Sequence, residues 1–118
     1  MTTPTTIEPS RLPATIRDYL AAHGAGDTDA ALRTFAPTAQ VVDDGHTFRG
    51  TEEIRRFLTK AGSEFTYTTE LIGAQRIDDD RWVAVNRLEG DFPGGVVELH
   101  YRFALAGDLV VGLTIAPE

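Results

Sequence analysis

Apolar positions recur along this chain with two different periods, and the change between them divides it into a helical half and a sheet half. Leu12, Ile16, Tyr19, Leu20 and His23 fall at i, i+4, i+7, i+8 and i+11, one face of a single helix. Ser10 is placed to cap that helix, Pro13 sits in its first turn where a missing N–H costs little, and Gly24 and Gly26 stop it. Asp27 caps a second, short helix with Ala31, Leu32 and Phe35 as its buried stripe, and Pro37 ends it. Residues 39–43 are a β-branched stretch that runs into the tight-turn dipeptide Asp44-Gly45, with residues 46–49 as the short return arm. After Gly50, Thr51 caps a third helix; Glu52 and Glu53 stand at its positive end, and Ile54, Phe57 and Leu58 form its apolar face. Ala61 and Gly62 close it.

From there the period falls to two. Residues 65–77 read as a strand, Asp78, Asp79 and Asp80 as a solvated turn, residues 82–92 as the next strand, and Pro93-Gly94-Gly95 as another turn. Val97, Leu99, Tyr101, Phe103 and Leu105 then share one face of a strand whose other face carries Glu98, His100 and Arg102. Beyond Gly107-Asp108, Leu109, Val111, Leu113 and Ile115 alternate to the end. Three helices followed by antiparallel strands predict an α+β domain, a curved sheet with helices on one face, spanning residues 10–118. Residues 1–9 are mostly Thr and Pro with Ile7 the one apolar side chain after Met1, and read as a flexible N-terminal arm.

Composition narrows the chemistry. The chain of 118 residues has no cysteine, which excludes disulfides, thiolate zinc sites and cysteine nucleophiles. Its 18 acidic against 11 basic residues give a net charge of −7, which argues against nucleic acid or an anionic membrane as partner. No apolar run approaches the roughly 20 residues of a membrane span, and the start MTTPTTIEPS lacks a basic and then apolar leader, so a cytoplasmic protein is expected. His23, His46 and His100 have no metal-ligand spacing, and there is neither a phosphate-cradling glycine loop nor a GxSxG elbow. No metal or cofactor is expected.

One carboxylate then stands out. Asp43 continues the alternation of Ala39 and Val41, so it shares their face. If that face is the helix-covered one, desolvation raises its pKa toward that of a general base working near neutrality. The alternative is that Asp43 only ends the strand and bonds the following turn. Tyr19, on the apolar face of the first helix, either packs as a ring or offers its hydroxyl to a ligand.

Tyr19 and Asp43 lie within RDYLAAHGAGDTDAALRTFAPTAQVVDDGHTFRGTEEIRRFL, residues 17–58, which resembles the first half of an NTF2-like domain of the ketosteroid isomerase and SnoaL-like polyketide-cyclase group. The landmarks are Tyr19 with Ala22, Gly26-Asp27, Phe35-Ala36, Val42-Asp43, and Arg49-Gly50 followed by Ile54. Tyr101-Arg102-Phe103 ahead of Gly107-Asp108 extends the likeness to about residues 10–116. The resemblance implies a cone: a strongly bent, mainly antiparallel sheet around three helices, with an apolar pocket at the wide end. It implies a homodimer through the outer sheet face. It also implies that Asp43 removes a proton α to a carbonyl while Tyr19 bonds the developing enolate oxygen. The isomerase's second donor, a protonated aspartic acid, matches Leu99 here, which cannot donate; Tyr101 on the same face or Asn86 on the preceding strand are the available substitutes.

Phe57, Trp82 and Phe92 are candidate pocket walls as well as candidate core residues. Arg49 reads as a partner for a helix-side carboxylate, His46 near Asp44 as the nearest approach to a cyclase His–Asp pair, and His100 as lying outside the pocket. The leading reading is an enzyme acting on a small apolar carbonyl compound. The alternatives are a non-catalytic binder of small apolar or aromatic molecules and an epoxide hydrolase or cyclase using Asp43, Asn86 and Arg87. The last pair is adjacent and should face opposite ways on a strand.

Overall fold

The computed structural model describes residues 3–63 and 67–117, with side chains for all of these but 61–63. Its elements follow in the order β1 (Thr5–Ile7), a 3₁₀ turn (Pro9–Arg11), α1 (Ala14–Gly24), α2 (Thr28–Leu32), β2 (Phe35–Asp43), β3 (His46–Arg49), α3 (Gly50–Ser63), β4 (Tyr67–Arg76), β5 (Arg81–Gly90), β6 (Val96–Ala106) and β7 (Leu109–Ala116). The strands form one sheet in the order β1-β4-β5-β6-β7-β2-β3. Every pairing is antiparallel except β2 with β7. Register shifts at Leu71/Gly73, Ala104/Leu105 and Phe35/Gln40 bend the strands around the helices. The α+β architecture expected from the change of period is the one observed, and the core lies between the sheet's inner face and the helices.

Local differences from the sequence reading have local causes. Ser10 caps nothing: Leu12 precedes a proline, takes ψ 146, and so ends the 3₁₀ turn, leaving α1 to start after Pro13 without a side-chain cap. Asp27 does cap α2, accepting from the Ala30 N–H at 3.0 Å. That helix stops at Leu32, however, and Phe35 opens β2 instead of completing a helical stripe. The arm is not outside the fold, because Thr5, Thr6 and Ile7 pair with Arg76, Gln75 and Ala74 and add an edge strand. In β7 the expected alternation fails at its start. Leu105 pairs with Val110 and Ala104 with Gly112, so Val111 is an extra residue. The phase slips by one, which buries Val110 and leaves Leu109 exposed. α3 runs to Ser63, one residue past the Gly62 stop. The start of the next strand at Phe65 lies outside the described residues.

Gly50 joins β3 to α3 at φ 81, a conformation only glycine adopts without strain. A Cβ there would meet nothing closer than the Pro37 carbonyl oxygen at 3.9 Å. The cost of Gly50→Ala is therefore conformational, and we expect a loss of about 1–2 kcal/mol in urea unfolding.

Register places side chains in rows across the inner face. Ile7, Ala74, Ala84, Tyr101, Ile115 and Asp43 form one row from the β1 edge to β2. Trp82, Phe103, Leu113 and Val41 form the next row on one side. On the other side lies the row of Leu71, Asn86 and Leu99. The first of these neighbouring rows belongs to the core, with Trp82 packed against it. The second borders a void.

Candidate functional site

That void is a cavity of about 300 Å³, within the range of small-molecule sites. Its lining combines one carboxylate, Asp43, with the phenols Tyr67 and Tyr101, the imidazole of His23 and an apolar remainder that includes Phe57, Leu99 and Phe92. No lysine or arginine is among these lining residues. Asp43 is half-buried at the end of β2, where Asp44 (φ 52) and Gly45 (φ 77) turn the chain back. Tyr101 stands in its row, with Ile115 of β7 between them. Two strand spacings separate the pair, roughly 9.5 Å at the backbone, and a small molecule fits across that span.

All three tyrosines of the chain gather here. Burial raises the pKa of the Tyr101 hydroxyl, and the neighbouring Tyr67 and Asp43 add to the shift. Tyr67 is raised by burial and then by the charge of Asp43. Tyr19 is raised by burial first, followed by Tyr101, Tyr67 and Asp43. Phenols held neutral in this way are hydrogen-bond donors at any ordinary pH.

His23 completes the cluster. One helical turn after Tyr19, its ring lies parallel to that phenol, with centroids 5.7 Å apart and planes 5° from each other. His23 Nε2 is 3.3 Å from Tyr67 Oη. Burial lowers the His23 pKa from the ordinary 6.5. The unfolded chain then binds the extra proton more readily than the folded one. Stability is expected to be fully present above pH 6.5 and to be lost as pH falls through the lower, folded value. Urea unfolding at pH 7.5 and 5 should show this loss, and His23→Gln should remove its share. The lowered carboxylates of Asp29 and Asp78 act only further down, below their ordinary 3.8.

Of the residues singled out from sequence, Asp43, Phe57, Phe92, Leu99 and Tyr101 meet in this cavity. Tyr19 does not line it. It is wholly buried one layer behind, its ring edge-on to Phe35 and Phe103 at 5.5 and 5.6 Å, and its hydroxyl has no hydrogen-bond partner among the described residues. Asn86 lies opposite Leu99, buried, with Nδ2 unpartnered among the described residues, and is likewise not part of the lining. Trp82, a candidate for either wall or core, is not among the lining residues of this cavity: it pairs with Phe103, in the row on the far side of Tyr101 from Leu99. There it packs against the core, with Arg76 5.8 Å above its ring.

Arg87 points outward to Glu89 at 2.7 Å while Asn86 points in, so the two do not assemble with Asp43. His46 is exposed, and His100 sits on the outer-facing phase of β6 with neighbours Arg102 and Glu98. Arg49 engages Glu53 through its backbone N–H, 2.9 Å from Oε1.

Sequence reasoning passed over His23 and Tyr67 as functional groups. His23 carried a usable signal, since it follows Tyr19 by one turn on the face that is buried. Tyr67 carried none, because only the pairing of β4 with β5 brings it to the cavity.

A family model for the SnoaL-like domain matches residues 16–111. The crystal structure of a candidate polyketide cyclase from Sinorhizobium meliloti is 31% identical, covers 93% of this chain and 100% of its own, and superposes with a TM-score of 0.86. A ketosteroid isomerase-like fold from Catenulispora acidiphila, crystallised with trimethylamine, is 18% identical over 88% of this chain and 85% of its own (TM-score 0.77). TerC, co-crystallised with polyporic acid, is 15% identical over 86% and 87% (TM-score 0.75). The last two share the fold alone. A comparison with curated proteins finds no match.

Proposed function

Because this chain belongs to the SnoaL-like domain family, we propose that it is an enzyme of the isomerase or cyclase kind, removing a proton α to a carbonyl of a small apolar molecule. The observation that carries this reading is the placement of Asp43 as the carboxylate of a mostly apolar cavity that it shares with two phenols. One Asp43 oxygen takes the α-proton, the C–H electron pair becomes the enolate, and the enolate oxygen is met by the Tyr101 hydroxyl. The proton then returns from Asp43 to another carbon, or the enolate carbon attacks a second carbonyl, whose C=O π pair becomes an alkoxide that takes the proton back from Asp43. Tyr101 takes the donor role that the resemblance assigned to Tyr19, since it is Tyr101 that lines the cavity. A lining without lysine or arginine suits a neutral ligand and disfavours an anionic one.

Deuterium uptake from D₂O into the α-carbon of 2-tetralone, followed by proton NMR, tests the reading. Uptake above the buffer rate that depends on the Asp43 carboxylate supports it; uptake indifferent to that carboxylate defeats it.

Leu99 favours a second reading. It places an apolar wall where the resemblance has an acid, and deepens a site fit for binding alone. Tight binding of 2-tetralone with no exchange, unaffected by Asp43→Asn, would establish that alternative.

A further inference from the structure

The outer face of the sheet carries a depression of about 450 Å³ that the proposed reaction does not use. Arg102, Thr114 and Val42 follow one another across β6, β7 and β2 on this face. In the neighbouring row stand Ala104, Gly112 and Gln40. The floor is low because the middle of that second row holds only a methyl group and a hydrogen. Nothing in the backbone calls for the glycine. Gly112 does not take a positive φ, unlike Gly107 before it, and the extra residue of the adjoining bulge is Val111. A Cβ on Gly112 would stand 3.6 Å from the Ala104 Cβ, an ordinary contact. A glycine inside a strand weakens it, and where neither turn nor clash demands one it marks the close approach of another molecule.

Charge says what kind of molecule. The lining has two guanidiniums, Arg81 and Arg102, and no carboxylate, on a chain whose net charge is −7. Arg81 is shared with Asp78 at 2.7 Å. Arg102 is exposed and has no ion pair among the described residues. Thr114 lies directly across from it, so a guanidinium N–H and a hydroxyl can donate to the same anionic group. Val42 and Val111 add apolar wall, which an inorganic anion would leave unused.

We propose that this depression is a second binding site, for a small organic carboxylate. The carboxylate is held by Arg102 and Thr114, and the apolar body lies over Gly112 and Ala104 against Val42 and Val111. The site is the electrostatic opposite of the Asp43 cavity, whose lining has a carboxylate and neither lysine nor arginine. The two lie on opposite faces of the sheet and take different ligands. The inference therefore stands independently of any role for Asp43.

Titration of the ¹⁵N-labelled protein with sodium benzoate, followed by ¹H–¹⁵N correlation NMR, tests it. The amides of Ala104, Gly112 and Thr114 should shift and saturate. Benzamide has the ring without the charge and acetate the charge without the ring; each should bind about tenfold more weakly. Arg102→Gln, an exposed change that leaves the core alone, should weaken benzoate by about tenfold. Gly112→Val fills the floor and should abolish the shifts, with thermal unfolding of the same sample confirming the fold. Equal affinity for benzamide or acetate, or wild-type affinity in Arg102→Gln, overturns the proposal. Shifts centred on Leu99 and Ile115 would put benzoate in the Asp43 cavity and overturn it as well. So would a dimer in sedimentation velocity whose formation shifts these same amides without benzoate, since the face would then belong to a second copy.

Discussion

Asp43→Asn is expected to slow α-proton exchange of 2-tetralone by about 10²–10⁴-fold, the contribution of a positioned general base. Asparagine keeps the shape and the hydrogen-bonding reach of the side chain but cannot hold a proton taken from carbon. The cavity has no other carboxylate in its lining to substitute, and His23 on its wall is engaged with Tyr67. Thermal unfolding measured on the same samples separates loss of the base from loss of the fold. A folded Asp43→Asn protein that exchanges at the wild-type rate would end the proposal. The effect should appear in kcat far more than in KM, because the carboxylate acts on the transition state and adds little to ground-state binding of a neutral ketone.

Tyr101→Phe is the second large effect, expected to cost about 10²–10³-fold in the same assay, the loss typical of one donor aimed at a developing oxyanion. Its row position fixes the geometry. Tyr101 and Asp43 flank Ile115 on the inner face, so a substrate lying over Ile115 has its α-carbon toward one and its carbonyl oxygen toward the other. Tyr19→Phe is the control. Its hydroxyl has no partner among the described residues and no place in the cavity lining, so its removal should change the rate by only a few-fold. Deleting a buried donor that makes no bond should leave stability unchanged or raise it by about 1 kcal/mol. If Tyr19→Phe costs the hundredfold and Tyr101→Phe does not, the two phenols exchange roles.

That contrast shows how far a one-dimensional pattern reaches. Helical spacing put Tyr19 on the buried face of α1 correctly, and it is among the most buried side chains in the protein. Spacing says nothing about depth along the helix's contact with the sheet, and depth decides whether a buried phenol packs or lines a cavity. Trp82 makes the same point from the sheet. Alternation gave it the right face, but the row in which it lies is set by pairing with Phe103, and that row runs through the core, outside the cavity that Asp43 lines. The phase slip in β7 was also out of reach. A bulge is created by two strands together, and no single stretch from 109 to 116 announces that Val111 will be the extra residue.

What the sequence determined alone were the quantities that depend on neighbours along the chain. The change from helical to alternating period carried the α+β class, Asp27 the cap of α2 and Asp44-Gly45 the hairpin, while the phase of residues 39–43 put Asp43 on the face of Ala39 and Val41 and left open whether it met a cavity or bonded the turn. Tertiary structure alone decided which inward-facing residues meet. Asp43, Tyr67, Tyr101 and His23 come from three different strands and a helix, and their convergence depends on strand order and register. Those are fixed by burial summed over the whole sheet, a collective free energy to which no short stretch of residues corresponds.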